Sequence, residues 1–197
     1  MKPSYKGFEA KKTGGYADLP PVGAYEAEIQ AVKFVEGKNG FRDKIELYME
    51  ITEGEYAGRF NEVWKDQQER FGTAYYKGIF SLIPPVEGDE DYRFRNFEGN
   101  LWAVEQSNPG YAWDWDEKKL KGKKVGINIR KRLYTYNGKH RETIEIGRFE
   151  TIADVKAGKC KPMKPRDQRK PIEEEDSTDG SEFTKVSGEV DVPWATN

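Results

Sequence analysis

The stretch KKVGINIRKRLYTY at residues 123–136 alternates two kinds of side chain along most of its length. One parity is mainly aliphatic, and the other carries cationic and aromatic side chains. Because successive side chains of a strand point to opposite faces, this alternation predicts a β-strand with one buried face and one basic, aromatic face. The aliphatic parity comprises Val125, Ile127, Ile129, Leu133 and Thr135, and the opposite parity comprises Lys124, Asn128, Arg130, Arg132, Tyr134 and Tyr136.

The residues that follow this strand predict a hairpin. Asn137-Gly138 is a strong signal for a two-residue turn. The chain then returns through Ile144, Ile146 and Phe149, which we interpret as a fifth strand. A helical turn is expected at residues 153–156.

Earlier in the chain, two more alternating runs predict a first hairpin. Residues 23–35 and 41–51 each place apolar side chains on one parity, and the turn Gly37-Lys38-Asn39-Gly40 separates them. A third strand is predicted over residues 59–65, with Phe60 and Trp64 on its core side. The three runs form a predicted meander.

A longer period follows the meander. Phe71, Tyr75, Ile79 and Ile83 recur every four residues, which predicts a helix that ends at Pro84-Pro85. Residues 86–117 show no clear period, and we interpret them as an insertion with a short helix at residues 101–104.

This order of elements predicts an all-β fold with a minor helix, namely the five-stranded Greek-key barrel called the OB-fold, with its helix between strands 3 and 4. An SH3-like barrel is the nearest alternative, but it lacks that helix. The predicted organisation is a flexible N-terminal arm at residues 1–21, an OB-fold domain at 22–160 containing the 86–117 insertion, and a disordered acidic tail at 161–197.

Composition restricts the function classes. The chain has 197 residues, 36% of them hydrophobic and 35% charged, and no apolar run approaches the ~20 residues of a membrane span. We therefore expect a cytoplasmic protein without membrane association. A single cysteine, Cys160, excludes an intrachain disulfide, and with the single histidine, His140, it cannot form the usual structural zinc site, so no metal is expected.

The charge is distributed unevenly. The net charge is -2, but residues 118–170 carry 18 basic and 5 acidic side chains, whereas residues 171–197 carry 1 and 8. A basic block of this size predicts a polyanionic ligand. An acidic tail beside it predicts a basic partner or contact with the same block.

No enzyme motif accompanies this pattern. The sequence has no phosphate-binding loop, dinucleotide fingerprint or nucleophile elbow. Glu36-Gly37-Lys38 falls in a predicted turn and lacks the upstream strand aspartate of a two-metal nuclease site. We therefore predict a protein that is not an enzyme and needs no cofactor.

The order of elements, the segment LKGKKV at residues 120–125, the basic and aromatic hairpin, and the acidic tail ending Asp191-Val192-Pro193-Trp194 together resemble a phage-type single-stranded DNA-binding protein. The resemblance covers residues 22–160 at the level of the fold and the last few residues as a motif. It implies that the tail recruits replication or recombination proteins, and that a phage-encoded chain acts in the host cytoplasm. The tail departs from the family pattern because tryptophan replaces phenylalanine and Ala195-Thr196-Asn197 follow it.

The predicted function is binding of single-stranded DNA, largely without sequence preference, during replication, recombination or repair. Cationic side chains follow phosphates, and tyrosine rings stack on bases. The alternative is a non-enzymatic interaction or assembly module whose basic face binds an acidic partner, and self-association is left open. The predicted nucleic-acid-binding residues are Lys44, Tyr48, Lys124, Arg130, Arg132, Tyr134, Tyr136, Lys139, Arg141 and Arg148, and the predicted partner-binding residues are Asp191, Val192, Pro193 and Trp194.

Overall fold

The computed structural model describes residues 18–171. They form a β-rich fold with few helices, built on one open, six-stranded sheet. Five strands follow the order β3-β2-β1-β4-β5, and the short β6 pairs with β4 beside this path. The strands are β1 (Gly23–Val35), β2 (Lys44–Ile51), β3 (Ile79–Leu82), β4 (Lys124–Tyr136), β5 (Lys139–Glu150) and β6 (Arg166–Gln168). The α-helices are α1 (Arg59–Phe71), α2 (Asp91–Ser107) and α3 (Ile152–Lys156), and Glu117–Leu120 forms a 3-10 helix.

The two predicted hairpins are confirmed. β1 pairs with β2, and β4 pairs with β5, both antiparallel. Asn137 and Gly138 have φ angles of 49° and 67°, as a tight hairpin turn requires. The first hairpin differs in one detail, because β2 begins at Lys44 and the Phe41 side chain is exposed in the turn.

The predicted third strand at residues 59–65 is wrong, because these residues begin α1. Phe60 and Val63 are buried three residues apart, which matches a helical rather than an alternating period. The Glu50 carboxylate accepts backbone N–H bonds from Phe60 at 3.1 Å and Asn61 at 2.7 Å. It thereby satisfies donors that the first turn of a helix leaves free. Trp64 is correspondingly exposed and not in the core.

The predicted helix over residues 71–83 is also wrong. The helix ends at Phe71, and Gly72 follows in the left-handed region with φ 67°. Ile79–Leu82 forms β3, which pairs with β2 and buries Phe80 and Leu82 while Ser81 is exposed. The four-residue spacing of the apolar side chains therefore spanned a helix end, a loop and a strand.

The region predicted as an insertion contributes to the core. Its helix, α2, has 17 residues and buries Phe97, Leu101 and Val104 against the sheet. Asn100 Oδ1 accepts a 2.7 Å hydrogen bond from the backbone N–H of Phe149 in β5. The helix between the third and fourth strands is thus α2, and the predicted short helix at residues 101–104 lies in its second half.

Two findings concern the end of the described chain. The helical turn predicted at residues 153–156 is confirmed as α3. Residues 166–168 form β6, within the range predicted as a disordered tail, so the structure differs from that prediction up to residue 171. None of the helices in residues 18–171 combines the length and apolar character needed to cross a bilayer.

The two ends of the strand path approach each other without pairing. β3 and β5 have no backbone ladder between them among the described residues, yet the rings of Phe80 and Phe149 lie 4.4 Å apart between centroids. The sheet is therefore curled but open, and a cleft separates the free edges of these two strands.

Candidate nucleic-acid interface

The cleft between the β3 and β5 edges has a volume of about 470 Å³, and we call it the edge cleft. Tyr76, Lys77 and Ile79 line its β3 side. The opposite side is formed by β4 and β5, with a contribution from β6. The charged residues on this side of the cleft are Arg130, Arg132, Glu145 and Arg166.

One carboxylate holds the arginines of the edge cleft. Arg130 Nε donates to Glu145 Oε1 at 2.8 Å. Glu145 Oε2 lies 4.0 Å from Arg132 Nε and 3.8 Å from an Arg166 terminal nitrogen. Three guanidinium groups therefore share one carboxylate, and the cluster keeps an excess of positive charge.

Lys77 adds a fourth cation from the other wall. Its side chain is half-buried, and burial lowers its pKa, with the nearby charge of Arg132 as the second cause. No ion pair to Lys77 is present within residues 18–171, so its charge is not compensated there. An anion in the edge cleft would therefore be attracted to both walls.

Tyrosine rings flank the cationic groups. Arg132 lies over the ring of Tyr134, 5.7 Å from its centroid. On the other wall, the ring of Tyr76 is 6.0 Å from that of Tyr48, and the Tyr76 hydroxyl donates to the Met49 carbonyl at 2.8 Å. Burial, together with the Glu50 carboxylate, raises the pKa of Tyr76, which stays a neutral ring.

The edge cleft continues along an arm of the β4–β5 hairpin. β1 pairs with β4 only as far as Ile129, so β4 beyond that point projects past β1. β4 and β5 pair without irregularity from Ile129 to Tyr136, which keeps alternate side chains on one face. Of the predicted residues, the structure brings together Arg130, Arg132, Tyr134 and Tyr136 along β4, with Arg141 opposite Tyr134 and Lys139 opposite Tyr136.

Tyr48 reaches the edge cleft indirectly, through its contact with Tyr76. Lys44 does not reach it. Its ammonium group pairs with Glu46 at 2.7 Å and borders a separate depression at the β1–β2 turn.

Lys124 and Arg148 also lie outside the edge cleft. Lys124 is at the opposite end of β4 from the arm, across from Glu28 of β1. Arg148 is exposed and holds Glu150 at 2.7 Å. The predicted partner-binding residues 191–194 lie outside the described residues.

Sequence reasoning missed the contribution of Lys77 and of the segment after α3. Residues 159–170 carry six lysines and arginines and one aspartate, a basic composition that could have separated them from the acidic tail. Asn128 donates to the Lys161 carbonyl at 3.0 Å, which ties this segment to β4. β6 then lies parallel to β4, with Arg166 beside Arg132.

No protein-family model matches the chain, and no curated protein matches it at a significant level. Within residues 18–171, no group of three or more histidine, cysteine, aspartate or glutamate side chains is placed to hold a metal ion.

Proposed function

We propose that the protein binds single-stranded DNA, largely without sequence preference, through the edge cleft and the hairpin arm. One observation carries the proposal: Arg130, Arg132, Arg166 and Lys77 converge on one cleft that contains a single carboxylate, Glu145. Phosphates compensate this excess charge, and the release of their counterions favours binding.

The aromatic groups favour a single strand over a duplex. Tyr134 and Tyr136 follow Arg130 and Arg132 at alternate positions of β4, on the same face of the arm, and Tyr136 is 61% exposed. Unpaired bases stack on such rings with ~1–3 kcal/mol each, whereas a duplex keeps its bases stacked on one another. The arrangement therefore suits a flexible polyanion that has bare bases.

We also propose that the fold is an OB-fold whose barrel is open at one seam. The strand order β3-β2-β1-β4-β5, the position of α2 before β4, and the contact between Phe80 and Phe149 across the seam support this architecture. In this interpretation the edge cleft is the seam between strands 3 and 5.

The proposed role is that of a binder, not an enzyme, acting where single strands arise in replication, recombination or repair. The acidic segment that ends Asp191-Val192-Pro193-Trp194 is proposed to recruit a partner protein with a basic, apolar pocket. This second role is separable from DNA binding, because it uses residues outside the edge cleft.

The test is a fluorescence anisotropy titration of the full chain with oligo(dT) of about 16 nucleotides, the matching duplex and oligo(U), at two salt concentrations. Affinity for dT should exceed that for duplex. The logarithm of the binding constant for dT should fall linearly with the logarithm of the salt concentration, with a slope of about -0.7 per phosphate neutralised. Arg132→Ala should weaken binding about tenfold. The matched control is Lys65→Ala, which removes an exposed cation of α1 outside the edge cleft and should leave affinity unchanged.

Two outcomes would overturn the proposal. Equal losses in Arg132→Ala and Lys65→Ala would mean that any surface charge suffices. Absence of dT binding at low salt, with retention of an acidic polypeptide such as poly-glutamate, would assign the basic face to an acidic protein partner instead.

A further inference from the structure

A second concave surface lies between α2 and residues 113–115. It has a volume of about 480 Å³, and aromatic rings form most of its lining. We call it the tryptophan pocket, and its main residues are Phe94, Phe97, Trp102, Trp113, Trp115 and Glu98.

The rings of the tryptophan pocket contact one another without filling it. Phe97 stacks on Trp115 with centroids 5.8 Å apart and planes 23° apart, and Trp113 lies 6.0 Å from Trp115. Trp115 has a φ of 67°, a left-handed conformation that is uncommon for a bulky residue. Even so, Trp102 and Trp115 are 54% and 68% exposed. The pocket is thus preformed, with two large rings open to solvent.

The charge around this pocket is opposite to that of the edge cleft. Its only charged lining groups are Glu98 and Glu105, and neither forms an ion pair within residues 18–171. Nearby, burial raises the pKa of Tyr111 to about 12, and the carboxylates of Asp114, Glu105 and Asp116 add to the rise. A DNA backbone would be repelled here, whereas a lysine side chain would find ring faces and carboxylates together.

We propose that the tryptophan pocket binds residues 1–17 of the same chain. This segment contains Lys2, Lys6, Lys11 and Lys12 against a single acidic residue, Glu9, and it also carries Tyr5, Phe8 and Tyr16. Its lysines complement the carboxylates of the pocket, and its aromatic residues complement the exposed rings. The other basic segment, residues 159–170, contributes no residue to this pocket, because it lies along β4 and β5.

The length of the segment is sufficient for binding within one molecule. The described chain starts at Asp18, whose carbonyl accepts a 3.4 Å hydrogen bond from Arg59 at the start of α1. Seventeen extended residues reach up to about 56 Å. A domain of this size is roughly 40 Å across. Most of its surface is therefore within reach of residues 1–17.

The test places a spin label on the segment and observes the tryptophans. The full chain carries Cys160→Ser and Ser4→Cys, with the nitroxide on the new cysteine and ¹⁵N in the indole groups. We expect the indole N–H signals of Trp102 and Trp115 to broaden strongly, and that of Trp64 much less. Trp64 is the internal control, because it lies on α1 near Arg59, where a segment without a docking site would spend most of its time.

Charge variants then test the chemistry. Glu98→Lys should abolish the broadening of Trp102 and Trp115, while Glu69→Lys, an exposed glutamate of α1, should preserve it. Broadening confined to Trp64, or unchanged by Glu98→Lys, would overturn the proposal.

Two further measurements identify other occupants. Broadening of the same signals when spin-labelled ¹⁴N protein is mixed with unlabelled ¹⁵N protein would assign the pocket to a second copy and overturn binding within one chain. Oligo(dT) that shifts the Trp102 and Trp115 signals, without any effect of the spin label on them, would assign the pocket to nucleic acid. Neither result depends on whether the edge cleft binds DNA.

Discussion

Arg130 donates from Nε to the Oε1 atom of Glu145 across the β4–β5 pair at a distance of 2.8 Å. The same carboxylate lies within 4.0 Å of Arg132 and 3.8 Å of Arg166. Glu145 therefore positions the arginines and also neutralises part of their charge. A phosphate entering the edge cleft would compete with this carboxylate for the same donors.

Glu145→Gln should strengthen binding of oligo(dT) about fivefold at low salt, since removing one negative charge ~4 Å from a bound phosphate is worth ~1 kcal/mol. The amide oxygen of glutamine can still accept from Arg130. The matched control is Glu142→Gln, on the same strand, whose exposed carboxylate pairs with Lys131 at 3.3 Å. Anisotropy titrations measure the affinities of both variants. A lower affinity in Glu145→Gln would show that Glu145 matters more for positioning the arginines than for reducing their charge.

Tyr134→Ala and Tyr136→Ala should each weaken binding of oligo(dT) by about 1–3 kcal/mol through loss of base stacking. Their melting temperatures should stay close to that of the wild type, because both rings lie on the arm and outside the core cluster. Tyr75→Ala, at an 81% exposed position, is the control. Wild-type affinity in both variants would remove these tyrosines from the site.

Two truncations should separate the basic segment from the acidic tail. A chain ending at Lys170 keeps β6 and loses the eight acidic residues, so it should fold normally and bind DNA as well as or better than the full chain. A chain ending at Gly158 loses Arg166 and the Lys161 carbonyl that Asn128 contacts, so it should bind more weakly and unfold earlier. Anisotropy and thermal melts measure both effects, and a large loss in the Lys170 truncation would mean that residues beyond it are structural.

Gly78→Ala should destabilise the protein by about 1–3 kcal/mol, because the added methyl group would overlap neighbouring atoms and force the backbone to move. A Cβ atom there would lie 2.3 Å from the Met49 carbonyl oxygen and 2.7 Å from Phe60 Cδ2. The control is Gly99→Ala in α2, where a Cβ meets nothing within 4 Å. That change should stabilise the helix by about 0.5–1 kcal/mol. Urea unfolding of both variants should give opposite signs.

The Arg42 guanidinium, with the backbone N–H of Val86, lowers the pKa of Asp89 to about 2. Since this folded-state pKa lies below the ordinary value, the ion pair stabilises the protein above pH ~4, and the contribution is lost as pH falls toward 2. Asp89→Asn should therefore lower the melting temperature at pH 6 and converge with the wild type as the pH approaches 2. A constant difference across this range would contradict the assignment.

The sequence predicted elements well where the alternation was long. β1, β4 and β5 have 12 or 13 residues each, enough repeats to distinguish a strand from a helix. The short apolar runs around Phe60 and Ile79 fit either period. They were resolved by contacts from elsewhere, namely the Glu50 carboxylate at the start of α1 and the β2 ladder beside β3.

The sequence by itself determined the β4–β5 hairpin and the common face of Arg130, Arg132, Tyr134 and Tyr136, because alternation and a tight turn depend only on neighbouring residues. Only the tertiary structure decided which groups join that face. Lys77 and Arg166 are far from β4 in the chain, and they reach the edge cleft because the sheet curls β3 toward β5 and because β1 leaves the edge of β4 free for β6. Such placements follow from sheet curvature and from the pairing of distant edges, which no local pattern specifies.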